Sequence, residues 1–343
     1  MLPTLLPFPR FPSLLLAVTV FGGCTDADSS GPGISSTDDP KAAWITRLSG
    51  RYETDSTDGE KPIVVVKLVR TEVDDAALAK LKELPRIRQL ELQHTKIGDA
   101  GIEHIASLKD LQWLDLSHTE VGDAGLKQLS GLAGLKILKL TGSRVGDAGL
   151  ADLASLSNLE ELWLGDCEIG DAGILSMKGC SRINVLSLEG TKITDAGLTI
   201  LQDMSDLRSL NVSRTAVTGA GFVHLQGASQ LEILDAADSG VNDDGLSLLK
   251  ALTSISKLWL TNTKVTDAGL VHLAGITNLD ELGLAGTQIS DEGLNHLVRL
   301  SRLQVLHVLN TKVTINGANV IKKAIPASFI PPYDRAGVQG TVP

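Results

Sequence analysis

The chain has 343 residues, of which 43% are hydrophobic and only 3% are aromatic, and its formal net charge at pH 7 is −10. An acidic chain lacks the excess of Lys and Arg that neutralises phosphates, so the composition argues against a nucleic-acid partner and against an anionic membrane surface. The scarcity of aromatic residues predicts a core built from many Leu, Ile and Val side chains.

The first 24 residues carry a single charge, Arg10, and an apolar run that ends at Phe21. This run is too short for a permanent membrane-spanning helix and predicts a secretory signal peptide over residues 1–23. The following Gly-Gly-Cys resembles the lipobox of bacterial lipoproteins, which implies that Cys24 is acylated and anchors the protein to a bacterial membrane outside the cytoplasm. Phe21 departs from that pattern, which prefers an aliphatic residue there. A secreted or periplasmic soluble protein, and a chain that is not exported, are the alternatives.

Two short segments separate this leader from the rest of the chain. Residues 24–40 consist largely of Ser, Thr, Gly, Pro and Asp, which offer too little apolar surface to fold, so we predict a flexible tether. Residues 41–62 begin with apolar residues at helical spacing, including Trp44 and Ile45, and continue into a polar strand. This pattern predicts an N-terminal cap for the structure that follows.

The phrase Asp-Ala-Gly-Leu and its variants recur at a fixed interval of 24 residues. The third position of the phrase is glycine in every copy except the first, which has alanine; these residues are Ala77, Gly101, Gly125, Gly149, Gly173, Gly197, Gly221, Gly245, Gly269, Gly293 and Gly317. The interval predicts eleven stacked repeats over residues 63–326, because a unit of this length cannot bury its apolar face alone. Residues 327–343 are predicted to be a closing segment and a tail.

Residues 111–134 illustrate one repeat. Leu114 and Leu116 alternate with polar residues and predict a short strand. Thr119 follows, at a position that other repeats fill with Thr, Ser or Cys, and we expect its side chain to bond the turning backbone. Asp123 then places a negative charge in the first turn of a short helix. Gly125 costs helix propensity, so its recurrence predicts crowding against the neighbouring coil.

Strand, turn, helix and return within 24 residues predict an α/β fold, a right-handed βα coil whose parallel strands stack on one side and whose short helices stack on the other. Strands pack more closely than helices, so the sheet face is expected to be concave. Eleven strands about 4.8 Å apart would extend the sheet over roughly 48 Å.

The repeat pattern, as in LQWLDLSHTEVGDAGLKQL and ISKLWLTNTKVTDAGLVHL, resembles the leucine-rich repeats of bacterial surface proteins, especially the 24-residue TDAGL type of planctomycete lipoproteins. It is also similar to the repeats of F-box proteins, which would imply an effector that recruits ubiquitin ligases, but it lacks their two regular cysteines, and no F-box precedes it. The resemblance covers residues 63–326 and implies a leucine-rich repeat solenoid. It says little about function.

No motif for a catalytic, metal or nucleotide site is present, and we predict neither an enzyme nor a cofactor. His94 and His118 lie one repeat apart just after their strands, and Glu91 and Asp115 lie one repeat apart before them. Such neighbours could form a metal or acid–base cluster, but a solvated face of mixed charge is the preferred interpretation. The remaining histidines at one helical position, His104, His224, His272 and His296, are expected to be solvated, and Cys167 and Cys180 are expected to be buried without a disulfide.

The concave face carries the stronger functional signal. Aromatic and apolar residues lie there beside charged ones, which is typical of a protein interface. The candidate ligand-binding residues are Trp113, Trp163, Trp259, Ile137, Val185, Ile233, Glu161, Asp235, His94 and His118, with Val305, Lys139 and Lys257 on the same face. We predict a monomeric binding module that engages a protein, or alternatively a glycan. A structural spacer of the cell envelope without a specific ligand is the competing hypothesis.

Overall fold

A computed structural model describes residues 39–331. The predicted signal peptide, the Cys24 lipidation site, most of the tether and the C-terminal tail lie outside the described residues. Within residues 39–331, no helix is long and apolar enough to cross a membrane.

Twelve strands form one sheet in which the spatial order follows the chain order. The strands are β1 (Arg51–Thr54), β2 (Ile63–Lys67), β3 (Gln89–Glu91), β4 (Trp113–Asp115), β5 (Ile137–Lys139), β6 (Glu161–Trp163), β7 (Val185–Ser187), β8 (Ser209–Asn211), β9 (Ile233–Asp235), β10 (Lys257–Trp259), β11 (Glu281–Gly283) and β12 (Val305–His307). β1 pairs antiparallel with β2, and each later strand pairs parallel with the one before it. In these parallel pairs, each residue lies opposite the residue 24 positions earlier in the chain.

A short helical segment follows each strand of the parallel series. The α-helices are α1 (Ala43–Arg47), α2 (Asp75–Leu78), α3 (Asp99–Ile105), α4 (Asp123–Leu129), α5 (Asp147–Leu150), α6 (Asp171–Ser176), α7 (Asp243–Leu249), α8 (Asp267–Leu270), α9 (Asp291–Leu294) and α10 (Ile315–Ala324). Segments of 3₁₀-helix are Ala79–Glu83, Ala151–Ser155, Gly197–Asp203, Ala220–Gly227 and Val271–Leu273. Two repeats, those that contain Gly197 and Gly221, therefore have a 3₁₀ segment where the sequence predicted an α-helix.

The core is one continuous layer of aliphatic side chains between the strands and the helical segments. The middle residue of a strand, such as Leu114 or Leu138, is completely buried, as are helix residues such as Leu126 and Leu129. Each coil packs only against its neighbours, and no coil could bury these side chains alone. The arrangement confirms the predicted leucine-rich repeat solenoid with a parallel sheet on one side and short helices on the other.

In most coils, the small residue after the strand bonds the turning backbone as the sequence predicted; the Ser143 hydroxyl instead lies 3.6 Å from the Cys167 thiol. The Oγ1 atoms of Thr95 and Thr119 donate hydrogen bonds of 2.6 Å to the carbonyls of Leu92 and Leu116, three residues earlier. Cys167 fills the same position, but its thiol donates instead to a carbonyl of the preceding coil. The hydroxyls supply donors to carbonyls that would otherwise be buried without a partner.

A ladder of aspartates joins consecutive coils through bonds that no local sequence pattern predicted. Asp99 Oδ1 accepts the backbone N–H of Gly122 at 2.7 Å, and Asp123 Oδ1 accepts that of Gly146 at 2.8 Å. The same bond to the next repeat is made by Asp75, Asp147, Asp171, Asp195, Asp243, Asp267 and Asp291. The aspartate therefore caps the helix of the following repeat, in addition to its place in the first turn of its own helix.

The aspartate ladder explains the exceptions at the ends of the array. A β-carbon on Gly125 would lie 2.7 Å from Asp99 Oδ1, so glycine is needed wherever an aspartate of the preceding coil is present. The first repeat has no preceding aspartate of this kind, and alanine stands at position 77. The last repeat has no following coil to cap, and Ile315 replaces the aspartate.

One junction inside the array lacks the aspartate. Gly219 occupies that position, with φ of 96°, a left-handed conformation that favours glycine. A β-carbon there would lie 2.7 Å from the Cα atom of Gly245. Close backbone packing replaces the hydrogen bond at this junction, and the segment after Gly219 is the 3₁₀-helix Ala220–Gly227.

Both ends of the sheet are covered. At the N-terminal end, α1 buries Trp44 and Ile45 against the core, and β1 covers the edge of β2. At the C-terminal end, α10 is the longest helix that the structure describes, and Phe329 bridges to Val305 beyond it. Covered ends keep the apolar core of the outermost coils away from water.

Candidate functional site

The outer sheet face is the candidate site, and it consists of the first and third residues of the three-residue strands β3 to β12. The middle residue of each strand points into the core, so its two neighbours point away from it. First positions lie beside first positions, and third positions beside third positions, along the whole sheet. The face is therefore two parallel columns of side chains.

The structure places most of the predicted ligand-binding residues on this face. Trp113, Ile137 and Glu161 belong to the first column, and Trp163 and Trp259 belong to the third-position column; all five are half-buried. Val305, Lys139 and Lys257 share the face and are also half-buried. Their role in ligand binding stays a prediction.

Three residues of the predicted set are less accessible than the sequence analysis expected. Val185, Ile233 and Asp235 retain only 9%, 6% and 7% of their accessible surface. Neighbouring strands of a parallel sheet lie close enough that side chains cover one another, and short side chains lose their exposure first. The accessible part of the face is consequently concentrated around the tryptophans.

The first tryptophan cluster comprises Trp113, Lys139, Glu161 and Trp163 on β4, β5 and β6. The Nζ atom of Lys139 lies 5.3 Å from the ring centroid of Trp113 and 5.1 Å from that of Trp163. Both distances fall within the range of cation–π attraction. Trp163 Nε1 donates a hydrogen bond of 3.3 Å to Glu161, which fixes the second indole. The two rings hold one ammonium group between them.

The second tryptophan cluster comprises Lys257, Trp259, Glu281 and His307 on β10, β11 and β12. Lys257 Nζ lies 5.9 Å from the Trp259 ring, and Trp259 Nε1 donates to Glu281 at 3.3 Å. A β-carbon on Gly283 would lie 2.8 Å from the indole, so glycine at this position lets Trp259 lie across β11. The two clusters thus share a Trp, a Lys and a Glu that receives the indole hydrogen bond.

Small and polar side chains form the floor between the two clusters. Ser187, Asn211 and Asp235 occupy the third-position column between Trp163 and Trp259, and all three are buried. Asn211 Oδ1 accepts the backbone N–H and the hydroxyl of Ser213. Trp163 and Trp259 are separated by four strand spacings, which corresponds to roughly 19 Å.

Two buried carboxyls of the face have perturbed acidity. Burial raises the pKa of Asp235 to about 6, and the charges of Glu189 and Asp238 also raise it, although the backbone N–H of Ala237 opposes the change. Burial likewise raises the pKa of Asp115, against hydrogen bonds from Ser117. The net negative charge of the floor therefore falls when the pH drops below about 6.

His94 and His118 stack as the repeat spacing suggested. Their ring centroids are 4.4 Å apart, with an angle of 12° between the planes. Burial lowers the pKa of His94, and the nearby charges of His118 and Arg70 lower it further. Among residues 39–331, no group of three or more His, Cys, Asp or Glu side chains is arranged to hold a metal ion.

The remaining histidines and cysteines have the environments that the sequence analysis expected in outline. His104, His224 and His272 on the helical side are half-buried, and His296 is exposed. Cys167 and Cys180 are free and buried, and burial raises the pKa of both thiols. A buried thiol with a raised pKa is a weak nucleophile.

A polar cleft beside β8 to β12 was not found by sequence reasoning. Its walls include Arg208, Glu232, Asp280 and Arg302. Arg208 pairs with Glu232 at 3.0 Å, and Arg302 lies 3.3 Å from Asp280, so both guanidinium groups have carboxylate partners within the fold.

Comparisons with known proteins identify the repeats and the fold. A sequence profile described as Leucine Rich repeat matches residues 86–106, 108–130 and 155–178. The fold is similar to that of an internalin from Listeria monocytogenes, with a TM-score of 0.62, 19% identity, and coverage of 87% of this chain and 95% of the internalin. A leucine-rich repeat protein of Leptospira interrogans gives a TM-score of 0.44 at 18% identity, with coverage of 74% and 68%. No curated protein sequence matches the chain. These findings establish a leucine-rich repeat fold.

Proposed function

We propose that this protein is a non-enzymatic binding module that engages a protein ligand through the outer sheet face. The observation that carries the proposal is the pair of tryptophan clusters, in which half-buried indoles lie beside charged groups on the outer sheet face. Tryptophan is enriched among the residues that dominate binding energy at protein interfaces, and a repeat array offers an extended area for contact.

The experiment that tests the proposal compares captured partners. The full chain, purified in mild detergent and immobilised, is incubated with extract of the producing cells, beside a variant that carries Trp113→Glu, Trp163→Glu and Trp259→Glu. We expect a partner that the wild type retains and the variant loses by at least about tenfold, because each substitution removes an aromatic anchor and adds a charge.

A matched control variant changes the helical side instead. Val223 and Val271 are exposed there, with 42% and 47% of their surface accessible, and both become Glu in the control. All three proteins must show the same circular dichroism and unfolding midpoint. If the tryptophan variant and the valine control capture the same partner equally, or if none of the three proteins captures a partner, the competing hypothesis of a structural spacer without a ligand is favoured.

We further propose that the protein is exported and that a lipid on Cys24 anchors it to a bacterial membrane. The apolar run before the Gly-Gly-Cys sequence supports this part of the proposal. In cells given an alkyne-labelled fatty acid, we expect label on the wild type and none on Cys24→Ser, with the variant released from the membrane fraction. Equal labelling of the two proteins, or none of either, would contradict the lipid anchor; release of an unlabelled wild type into the medium would indicate a secreted protein.

A further inference from the structure

We infer that the first tryptophan cluster binds a carboxylate side chain of an extended acidic peptide segment, with Lys139 as the group that receives it. This inference rests on the proposed function and names the chemistry of the ligand at one point of the outer sheet face. It follows from the ion pairing of the lysines, the occupation of the indole faces and the shape of the floor between the clusters.

Lys139 differs from the other lysines of the sheet. Lys67 Nζ lies 3.2 Å from Glu91, and Lys257 Nζ lies 3.6 Å from Glu281, so both have carboxylate partners. Lys139 forms no ion pair within 4.0 Å with any residue between 39 and 331; its ammonium lies over the two indoles, and its charge acts at longer range on the buried Asp115 of the neighbouring strand. A fixed cation that no carboxylate contacts directly is complementary to a ligand carboxylate.

The surroundings of Lys139 strengthen that complementarity. Indole rings on two sides keep water away from part of the ammonium group, and partial desolvation increases the attraction to an anion. Trp113 Nε1 is buried and has no hydrogen-bond partner among the described residues, so the cluster contains a second donor without an acceptor. Trp113 Nε1 is too buried for direct contact with a ligand, so the Lys139 ammonium is the group that a hydrogen-bond acceptor of the ligand would meet.

A peptide fits the cluster better than a sugar acid does. Sugars bind tryptophan by stacking on the ring face, but the Lys139 ammonium lies over both ring faces at 5.1–5.3 Å. The floor carries the uncharged Ser187 and Asn211 on β7 and β8 and one buried carboxyl, Asp235, on β9. These short side chains leave room for a main chain between Trp163 and Trp259. About six residues of extended chain span the roughly 19 Å between β6 and β10, the strands that carry these two tryptophans.

A display selection with random dodecapeptides tests the inference on the full chain in mild detergent. We expect the selected peptides to share an Asp or Glu, and we expect Lys139→Gln to weaken binding of the best peptide by about tenfold. Replacing the shared acidic residue of the peptide with its amide should weaken binding to the wild type equally and should have little further effect on Lys139→Gln. Lys67→Gln is the matched control and should change the affinity less than about twofold, because Lys67 lies on β2, outside both tryptophan clusters, and its ammonium already pairs with Glu91.

Each other result overturns the inference. Selected peptides without a shared acidic residue, an unchanged affinity in Lys139→Gln, or no enrichment of any peptide would show that Lys139 does not receive a peptide carboxylate. A parallel titration with hyaluronate oligosaccharides covers the sugar acids, and binding there without peptide binding would also overturn it. If the selection fails while the tryptophan variant still loses a captured partner, the proposed function stands and only this inference is wrong.

Discussion

Replacing Asp195 with alanine is expected to destabilise the protein by about 3 kcal/mol or more at pH 7. The Asp195 carboxylate accepts the backbone N–H groups of Thr218, Gly219 and Gly221 and the hydroxyl of Thr218, all in the next coil. Alanine leaves these donors without their acceptor, and hydrogen bonds to a charged group contribute more than neutral ones. The measurement is the free energy of unfolding from urea titration followed by circular dichroism.

Asp203→Ala is the matched control for this prediction. Asp203 lies in the same repeat and is exposed, and its carboxylate makes no hydrogen bond with the described residues, so its loss should change stability by no more than about 0.5 kcal/mol. An equal loss of stability in the two variants would mean that negative charge, rather than the bonds of the aspartate ladder, stabilises this junction.

The cost of Asp195→Ala should depend on pH. Burial raises the pKa of Asp195, but hydrogen bonds from Thr218, Gly221 and Gly219 outweigh burial and lower the pKa overall. A lowered pKa in the folded state gives stability that is present above the unfolded pKa of about 3.9 and is lost as the pH falls through the folded pKa. The difference between wild type and variant should therefore shrink in strongly acidic solution. A difference that stays constant from neutral to strongly acidic pH would contradict this account.

The sequence predicted the fold because the repeat interval and the apolar periodicity act together in every copy. The strand that contains Leu114, the turn at Thr119 and the helix that begins at Asp123 each follow from local patterns. The need for glycine at position 125 was also predictable, since a glycine retained against helix propensity indicates a close approach. These features depend on residues of the same repeat or on the equivalent residues of the adjacent repeat.

The aspartate ladder was harder to predict because its partners lie one repeat apart. A carboxylate in the first turn of a helix already has a sufficient local reason, the helix dipole, so Asp123 gave no cause to look for an acceptor role towards Gly146. The repeats that depart from the common phrase indicate the bond between coils. Gly219 and Ile315 depart from aspartate where the ladder is interrupted or ends, and Ala77 departs from glycine where no preceding aspartate exists.

The candidate site was predicted in its residue types and only partly in its geometry. Strand alternation placed Trp113, Trp163 and Trp259 on one face. Alternation cannot tell how far a side chain is covered by its neighbours, and Val185 and Ile233 are buried for that reason. The insertion of the Lys139 ammonium between two indoles depends on rotamers across three strands, which no single-strand pattern specifies.

Replacing Gly149 with alanine is expected to destabilise the protein by about 2–3 kcal/mol, although alanine favours helices by about 1 kcal/mol over glycine. A β-carbon at this position would lie 2.7 Å from Asp123 Oδ1 and 3.0 Å from the Asp123 Cα atom. The contact with Asp123 Oδ1 would disturb the hydrogen bond that this oxygen accepts from the Gly146 N–H. The contact with the Asp123 Cα atom cannot be relieved by a side-chain rotation, because that atom belongs to the backbone of the preceding coil. The alanine therefore has to separate two coils, and the unfolding midpoint in urea should fall.

Gly275→Ala is the comparison that decides whether crowding is the cause. No atom lies within 4 Å of a β-carbon built on Gly275, so the variant should be as stable as the wild type or more stable, because alanine restricts the unfolded chain. Equal stability of the two variants would show that neighbouring coils can move apart at no cost. The glycines of the repeat would then need another explanation. A loss of stability in Gly149→Ala alone would show that close contact between coils requires glycine in the Asp-Ala-Gly-Leu phrase.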